Sequence, residues 1–379
     1  MNFQNRVEKL RVFMEKENLA AVLLTDPISQ CYITGFEIIT YSRPIFTIVT
    51  KQECILIVPG LEEEHAKLHA RFDQLVVYYE HPEKASQGTD PIALILQCLQ
   101  PLAGKGRLGM ESRSLPFALA SILQSKNWEL ADVSAEMNHS RAIKDAQEQD
   151  KMRQVCSLAV GSVQAAFRAL AVGMTERELE NAAASAIYQE ASTLYPGSSF
   201  FTGGMNPTGS ERTILPHVFS SLKKVERCDG LIITRITSLD GYKGECERTC
   251  FVGEPSAKQR ELFEVMVNAQ KAAFATIKAG VLASDVDFAA RSVIQEAGYG
   301  EYAVHRTGHS IGLTLHESPF FRFDDSTILQ EGMAFTVEPG IYVPGIGGFR
   351  HSDTVLVTKD GYEMLTECPR SIEELVFAL

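Results

Sequence analysis

An α+β fold with an internal duplication, preceded by a smaller α/β domain, is what the sequence predicts. Three observations lead there. Helix and strand signals alternate through the first part of the chain. Two Ala-rich helix pairs then repeat at a fixed offset. Each pair is followed by apolar runs that flank turns rich in Gly, Asp or Pro. We place the α/β domain at residues 1–137 and the α+β domain at 145–379.

In the first part, Val7–Glu17 has helical periodicity and Leu19–Leu24 is a short apolar strand. Ile45–Val49 and Cys54–Val58 read as a strand pair around a turn at Lys51–Glu53. A helix over Pro91–Leu102, a strand at Arg107–Met110 and a helix near Pro116–Ser125 follow. Such alternation suggests a sheet largely buried between helices.

From Arg141 the composition changes. Asp145–Leu170 is one long helical pattern, and Thr175 with Glu178 is a capping-box signature opening the next helix, to about Glu190. AAFRALAVG at 165–173 is echoed by AAFATIKAG at 272–280, an offset of 107. Ala182, Ala183, Ser185 and Ile187 find their equivalents at the same offset. A fixed offset carried through a glycine turn points to duplication, and a duplicated domain forms a cleft to which each half can contribute. Leu231–Ile236 and Thr249–Val252 are strands around Asp240–Gly241. Ala334–Glu338 and Thr354–Val357 are strands around the stretch Pro339–Gly348.

The composition excludes several classes. At 45% hydrophobic and 22% charged residues the chain can bury a core, which excludes general disorder. A formal net charge of −12 argues against nucleic acid as a partner. No apolar run approaches the roughly 18 residues that span a bilayer, so no membrane is expected. The amphipathic N-terminus does not read as an export signal, which makes the cytoplasm the expected compartment. The eight cysteines are scattered without a CxxC and read as reduced core thiols. Cys246 and Cys250, four apart in a strand, have poor geometry for zinc.

Four clusters carry chemistry. His217 follows a polar loop. Glu245 and Glu247 alternate in a strand and so share a face, either solvated or, if buried, a site for a cation. HRTGHSIGLTLHESP, from His305 to Pro319, holds three of the nine histidines. Glu338 ends an apolar strand, where a carboxylate is costly unless paired, protonated or bound to a ligand.

The order of Pro216-His217, Gly241-Tyr242 through Arg248-Thr249, GHSIGLTLHESP, GMAFTVEPGIY and GGFR resembles the pita-bread hydrolases: Xaa-Pro dipeptidases, aminopeptidases P and creatinases. DPISQCYITGFE resembles the N-terminal domain of the prolidase and creatinase branch. The resemblance implies a homodimer acting on a small molecule or dipeptide. Its peptidases hold two divalent metals with two Asp, one His and two Glu. Here His309 and Glu338 fall on ligand positions, and Glu245 stands for an Asp. Thr234 and Ser352 replace the other two carboxylates.

With hydroxyls at 234 and 352, a dinuclear centre is not expected. The leading expectation is a metal-independent hydrolase of a C–N bond with no cofactor. In it His217, matching the creatinase histidine, acts as general acid/base with His316 nearby. Glu247, Glu338 and Arg350 bind a small polar, cationic or amidine-like substrate. The alternative is a metal-dependent Xaa-Pro dipeptidase with a single Mn, Co or Zn ion at Glu245, His309 and Glu338. A third reading is a peptide-binding module without catalysis.

Overall fold

The structure, a computed structural model, describes residues 3–37, 39 and 41–378. The chain divides into two compact units, 1–141 and 142–379.

In the first unit, helix α1 (Phe3–Lys16) buries Val7, Leu10 and Met14 at helical spacing. Strand β1 (Leu19–Leu24) is buried throughout. Helix α2 (Pro27–Thr34) starts where the Asp26 side chain accepts from the Ser29 N–H with proline in the first turn. Strands β2 (Phe46–Thr50) and β3 (Cys54–Pro59) form the expected antiparallel hairpin. Helix α3 (Glu63–His69), β4 (Gln74–Tyr78), α4 (Pro91–Leu99), β5 (Arg107–Met110), α5 (Phe117–Ser125), β6 (Leu130–Asp132) and α6 (Ser134–Ala142) follow. The mixed six-stranded sheet runs β4-β3-β2-β1-β5-β6. Ile55 and Ile57 of β3 enter one apolar cluster, while Leu56 and Val58 enter another. Both faces are therefore covered, and the continuous apolar runs in the sequence have that cause.

In the second unit, α7 (Ala146–Ala169) opens with an Asp145–Glu148 capping box and α8 (Glu176–Leu194) with the Thr175–Glu178 box. Strand β7 (Phe200–Met205), the short helix α9 (Ser210–Thr213) and the long hairpin β8 (Gly230–Leu239) and β9 (Tyr242–Val252) complete the first half. The second half has α10 (Ala257–Thr276), α11 (Ala283–Glu296), β10 (Gly308–Ser310), β11 (Glu317–Phe321), β12 (Ala334–Val337), β13 (Gly340–Val343), β14 (Gly347–Arg350), β15 (Ser352–Val357), β16 (Tyr362–Met364) and β17 (Val376–Phe377).

The duplication is visible in the sheet. Its main path is β11-β10-β12-β15-β9-β8-β7. Read outward from the central β15–β9 pair, β12 answers β8 and β10 answers β7. The turn glycines match as well: Gly173 and Gly280 have φ of 87° and 91°, which glycine adopts without strain. The chemistry-bearing strands β9 and β15 thus lie side by side, with Glu247 opposite Ser352. Among the described residues, no helix is long and apolar enough to cross a membrane.

Candidate active site

Strand β9 is longer than the expected Thr249–Val252. All of its residues but Lys243 are inaccessible, including Glu245, Glu247 and Arg248. Glu245 and Glu247 are therefore not a solvated face. Arg248 is matched by Asp353, at 2.7 Å and fully buried, and by four carbonyls from Glu247, Ser352, Cys368 and Pro369. That pairing fixes β9 against β15 directly beneath the two glutamates. The cysteines expected as core thiols are all free; five of the eight are buried, and Cys31 and Cys98 are half-buried. Cys228 alone is exposed.

Glu245, His309 and Glu338 come together. One ligand atom from each lies within 4.8 Å of the other two. His309, on β10, has its Nδ1 3.1 Å from the Ser310 carbonyl. A carbonyl only accepts, so Nδ1 carries the proton and Nε2 presents its lone pair. Nε2 is buried, lies 3.1 Å from a Glu338 oxygen, and has no hydrogen bond of acceptable geometry. Burial lowers the His309 pKa, but Glu338 beside it, with Glu245, outweighs that and raises it. Burial and the neighbouring charges of Glu338 and Glu247 push the Glu245 carboxyl up. Burial likewise raises Glu338, but His309 and Arg350 outweigh it and leave that carboxyl well below the usual range. A buried and a half-buried carboxylate with an imidazole nitrogen, all within 4.8 Å of one another, fit a single divalent cation.

The other end of the acidic cluster is closed by the protein itself. Thr234 donates to Glu247 at 2.8 Å, and Ser352 donates to Glu245 at 2.7 Å. Arg350 takes both oxygens of Glu247, one through Nε and the other through Nη2 at 2.8 Å. Its Nη1 donates to the Tyr342 hydroxyl at 3.0 Å and to the Pro216 carbonyl at 3.3 Å. Glu247 and Arg350, both expected to bind substrate, are here each other's partners. The chain's own guanidinium sits where a cationic or amidine-like substrate was expected. The same charge stands where a second ion would need carboxylates, and hydroxyls 234 and 352 supply none.

Tyr342 passes the network on. His305 Nδ1 lies 2.8 Å from the Arg306 carbonyl, so it is the donor, and Nε2 accepts from the Tyr342 hydroxyl at 2.8 Å. His305 and Tyr342 lie inside the motifs marked in the sequence, but neither was given a role there. Their roles depend on which strands meet at β13 and β14, which no local pattern announces.

Above this floor lies a cavity of about 830 Å³ lined by Pro216, His217, His305, Arg306, His316, Glu338 and Arg350, among others. His217 stands exposed on its wall. His316 packs its ring 4.0 Å from that of His309, centroid to centroid. Burial, with the adjacent His309, lowers its pKa to about 4. Arg306 Nη2 approaches its Nδ1 at 3.4 Å. An arginine only donates, so the imidazole proton lies on Nε2. Glu317, which receives the Thr314 N–H at 3.1 Å and lies 3.6 Å from the buried Lys144 ammonium, anchors the loop that carries His316.

Residues 150–359 match the metallopeptidase family M24, and residues 6–143 match the creatinase/prolidase N-terminal domain. The chain belongs to the metallopeptidase family M24. A Xaa-Pro dipeptidase of Pyrococcus horikoshii is 32% identical over 97% of this chain and 98% of its own. One of Pyrococcus furiosus is 31% identical over 97% and 99%. The solved structure of a Xaa-Pro dipeptidase from Bacillus anthracis superposes with a TM-score of 0.86 at 29% identity, covering 99% of this chain and 100% of that one. As an M24 member with full-length dipeptidase relatives, the chain is a hydrolase of peptide C–N bonds. These findings correct the leading expectation from sequence. They give no support to a metal-independent imidazole mechanism or to the absence of a cofactor, and they favour the metal-dependent alternative.

Proposed function

We propose that this M24 member is a dipeptidase of the Xaa-Pro kind that works with one divalent ion, Mn, Co or Zn. Glu245, His309 Nε2 and Glu338 would hold it. The observation that carries this reading is the convergence of ligand atoms from buried Glu245 and His309 and half-buried Glu338 within 4.8 Å. An ion held there supplies Lewis-acid polarisation of the scissile carbonyl and an acidified water.

The chain's own residues do the rest. Ser352 fixes one Glu245 oxygen and leaves the other free to ligate. Arg350 neutralises Glu247, so the centre carries the charge of two carboxylates rather than three. His316, neutral at pH 7 with its proton on Nε2, can donate to a carbonyl oxygen or a departing nitrogen. His217, exposed on the same wall, can exchange protons with solvent in a general acid/base role. The cavity is large enough for a dipeptide. On the family resemblance we further infer a homodimer, and from the amphipathic N-terminus a cytoplasmic one.

The test is hydrolysis of a panel of Xaa-Pro dipeptides before and after chelation. Activity is expected to vanish with chelator and to return with Mn, Co or Zn. His217→Ala is expected to lower kcat by about 10²–10⁴. Full activity after exhaustive chelation would contradict the reading, as would no cleavage with any metal.

A further inference from the structure

A glutamate is seldom fully buried unless it is paired, and in the first turn of a helix it can offset the dipole from the surface. Glu176 opens α8 but is inaccessible. It has no part in the capping box, which Thr175 and Glu178 complete. Its carboxylate turns instead to the loop between β7 and β8. One oxygen accepts from the Thr208 N–H at 2.8 Å and from Arg212 Nε at 2.7 Å. The other accepts from Arg212 Nη2 at 2.8 Å and from Ser221, its N–H at 2.7 Å and its hydroxyl at 2.8 Å. Both oxygens are thus satisfied, in part by a bidentate guanidinium, which offsets the burial of the charge.

These donors lie on both sides of His217. Thr208 and Arg212 precede it and Ser221 follows it. The backbone adds to the grip on the returning limb. The Glu176 N–H donates to the Lys223 carbonyl at 3.0 Å, and the Arg177 N–H donates to the Ser221 carbonyl at 3.1 Å. Arg212, so held, also donates to the Phe219 carbonyl at 2.8 Å. Between these anchors Leu215 and Phe219 are exposed, so little apolar burial steadies the stretch that carries His217. Polar tethers set where the imidazole stands on the cavity wall, and five of them end on one carboxylate.

We propose that Glu176 is a positioning residue for His217, clamping both limbs of its loop. Glu176 itself does not line the cavity and acts only through that loop. This rests on the reading of His217 as an acid/base group. The test uses the full-length, metal-loaded protein and the variants Glu176→Gln, Ser221→Ala, His217→Ala and the double variant Glu176→Gln with His217→Ala. Hydrogen exchange followed by mass spectrometry reports on residues 206–223, with β9 as the internal control, and kcat is measured on Xaa-Pro dipeptides.

A glutamine removes the charge and puts a donor where an acceptor was, so either orientation of its amide loses bonds. Glu176→Gln is expected to speed exchange in 206–223 by about tenfold or more, with β9 unchanged. It is expected to lower kcat by about 10–100-fold, and to cause little further loss where His217 is already alanine. A merely structural role would lower kcat alike in both backgrounds. Should Glu176→Gln fail to fold, Ser221→Ala leaves the pairing with Arg212 in place and is expected to show the same changes at smaller size. Unchanged exchange in the loop, an unchanged kcat, or equal losses with and without His217 would overturn the proposal. If the loop loosens but His217→Ala keeps full activity, or no dipeptide is cleaved, the clamp stands and the reading it rests on fails.

Discussion

Glu247 and Arg350 are both nearly inaccessible, and each is the other's main partner. Removing one leaves an uncompensated charge in the interior. Arg350→Leu is expected to destabilise the second unit by about 3–5 kcal/mol. The double variant with Glu247→Leu should cost clearly less than the sum of the two single ones, a coupling that denaturant unfolding measures. At the other end of the chain, Glu111 is buried and accepts from the Ser29 hydroxyl at 2.6 Å. Burial pushes its pKa from 4.5 to about 7. A carboxyl raised in the folded state holds its proton more tightly there than when unfolded. Its stabilisation is complete below about pH 4.5 and is lost as pH rises through 7, roughly 3 kcal/mol in all. Stability of Glu111→Gln should lack that slope, as unfolding curves between pH 4 and 8 will show. The hydroxyls at 234 and 352, and the proposed ligand set Glu245, His309 and Glu338, were legible in the sequence because motif order places them. The capture of Glu247 by Arg350 was not, because it depends on strands a hundred residues apart meeting side by side.

At the scale of elements, β9 shows why strand limits were the weaker part of the reading. Lys243, Glu245, Glu247 and Arg248 interrupt the apolar pattern, so the sequence suggested only the last four residues. In the fold those charges find partners and the strand runs for 11 residues. Helix α7 crosses it closely at Gly244, where a Cβ would lie 2.9 Å from the carbonyl carbon and oxygen of Val155. Backbone cannot swing aside as a side chain can. Gly244→Ala is therefore expected to cost about 1–3 kcal/mol and to disturb Glu245, read as lower thermal stability together with weaker metal binding. The helices were easier to read. Capping boxes at Asp145 and Thr175 act locally, so their signatures survive in one sequence.

At the scale of the molecule, the repeat at 107 residues was visible as paired helices, and the sheet order completes it with paired strands. Duplication explains the position of the centre. Glu245 comes from the first half and His309 and Glu338 from the second, so neither half holds an ion alone. The two halves have also diverged in charge: hydroxyls at Thr234 and Ser352 and an inward guanidinium at Arg350 leave ligands for one cation. Elemental analysis of freshly purified protein, titrated with Mn, Co or Zn, measures this most directly. One ion per chain is expected, lost in His309→Ala. Two tightly held ions per chain, or one ion that survives His309→Ala, would contradict it.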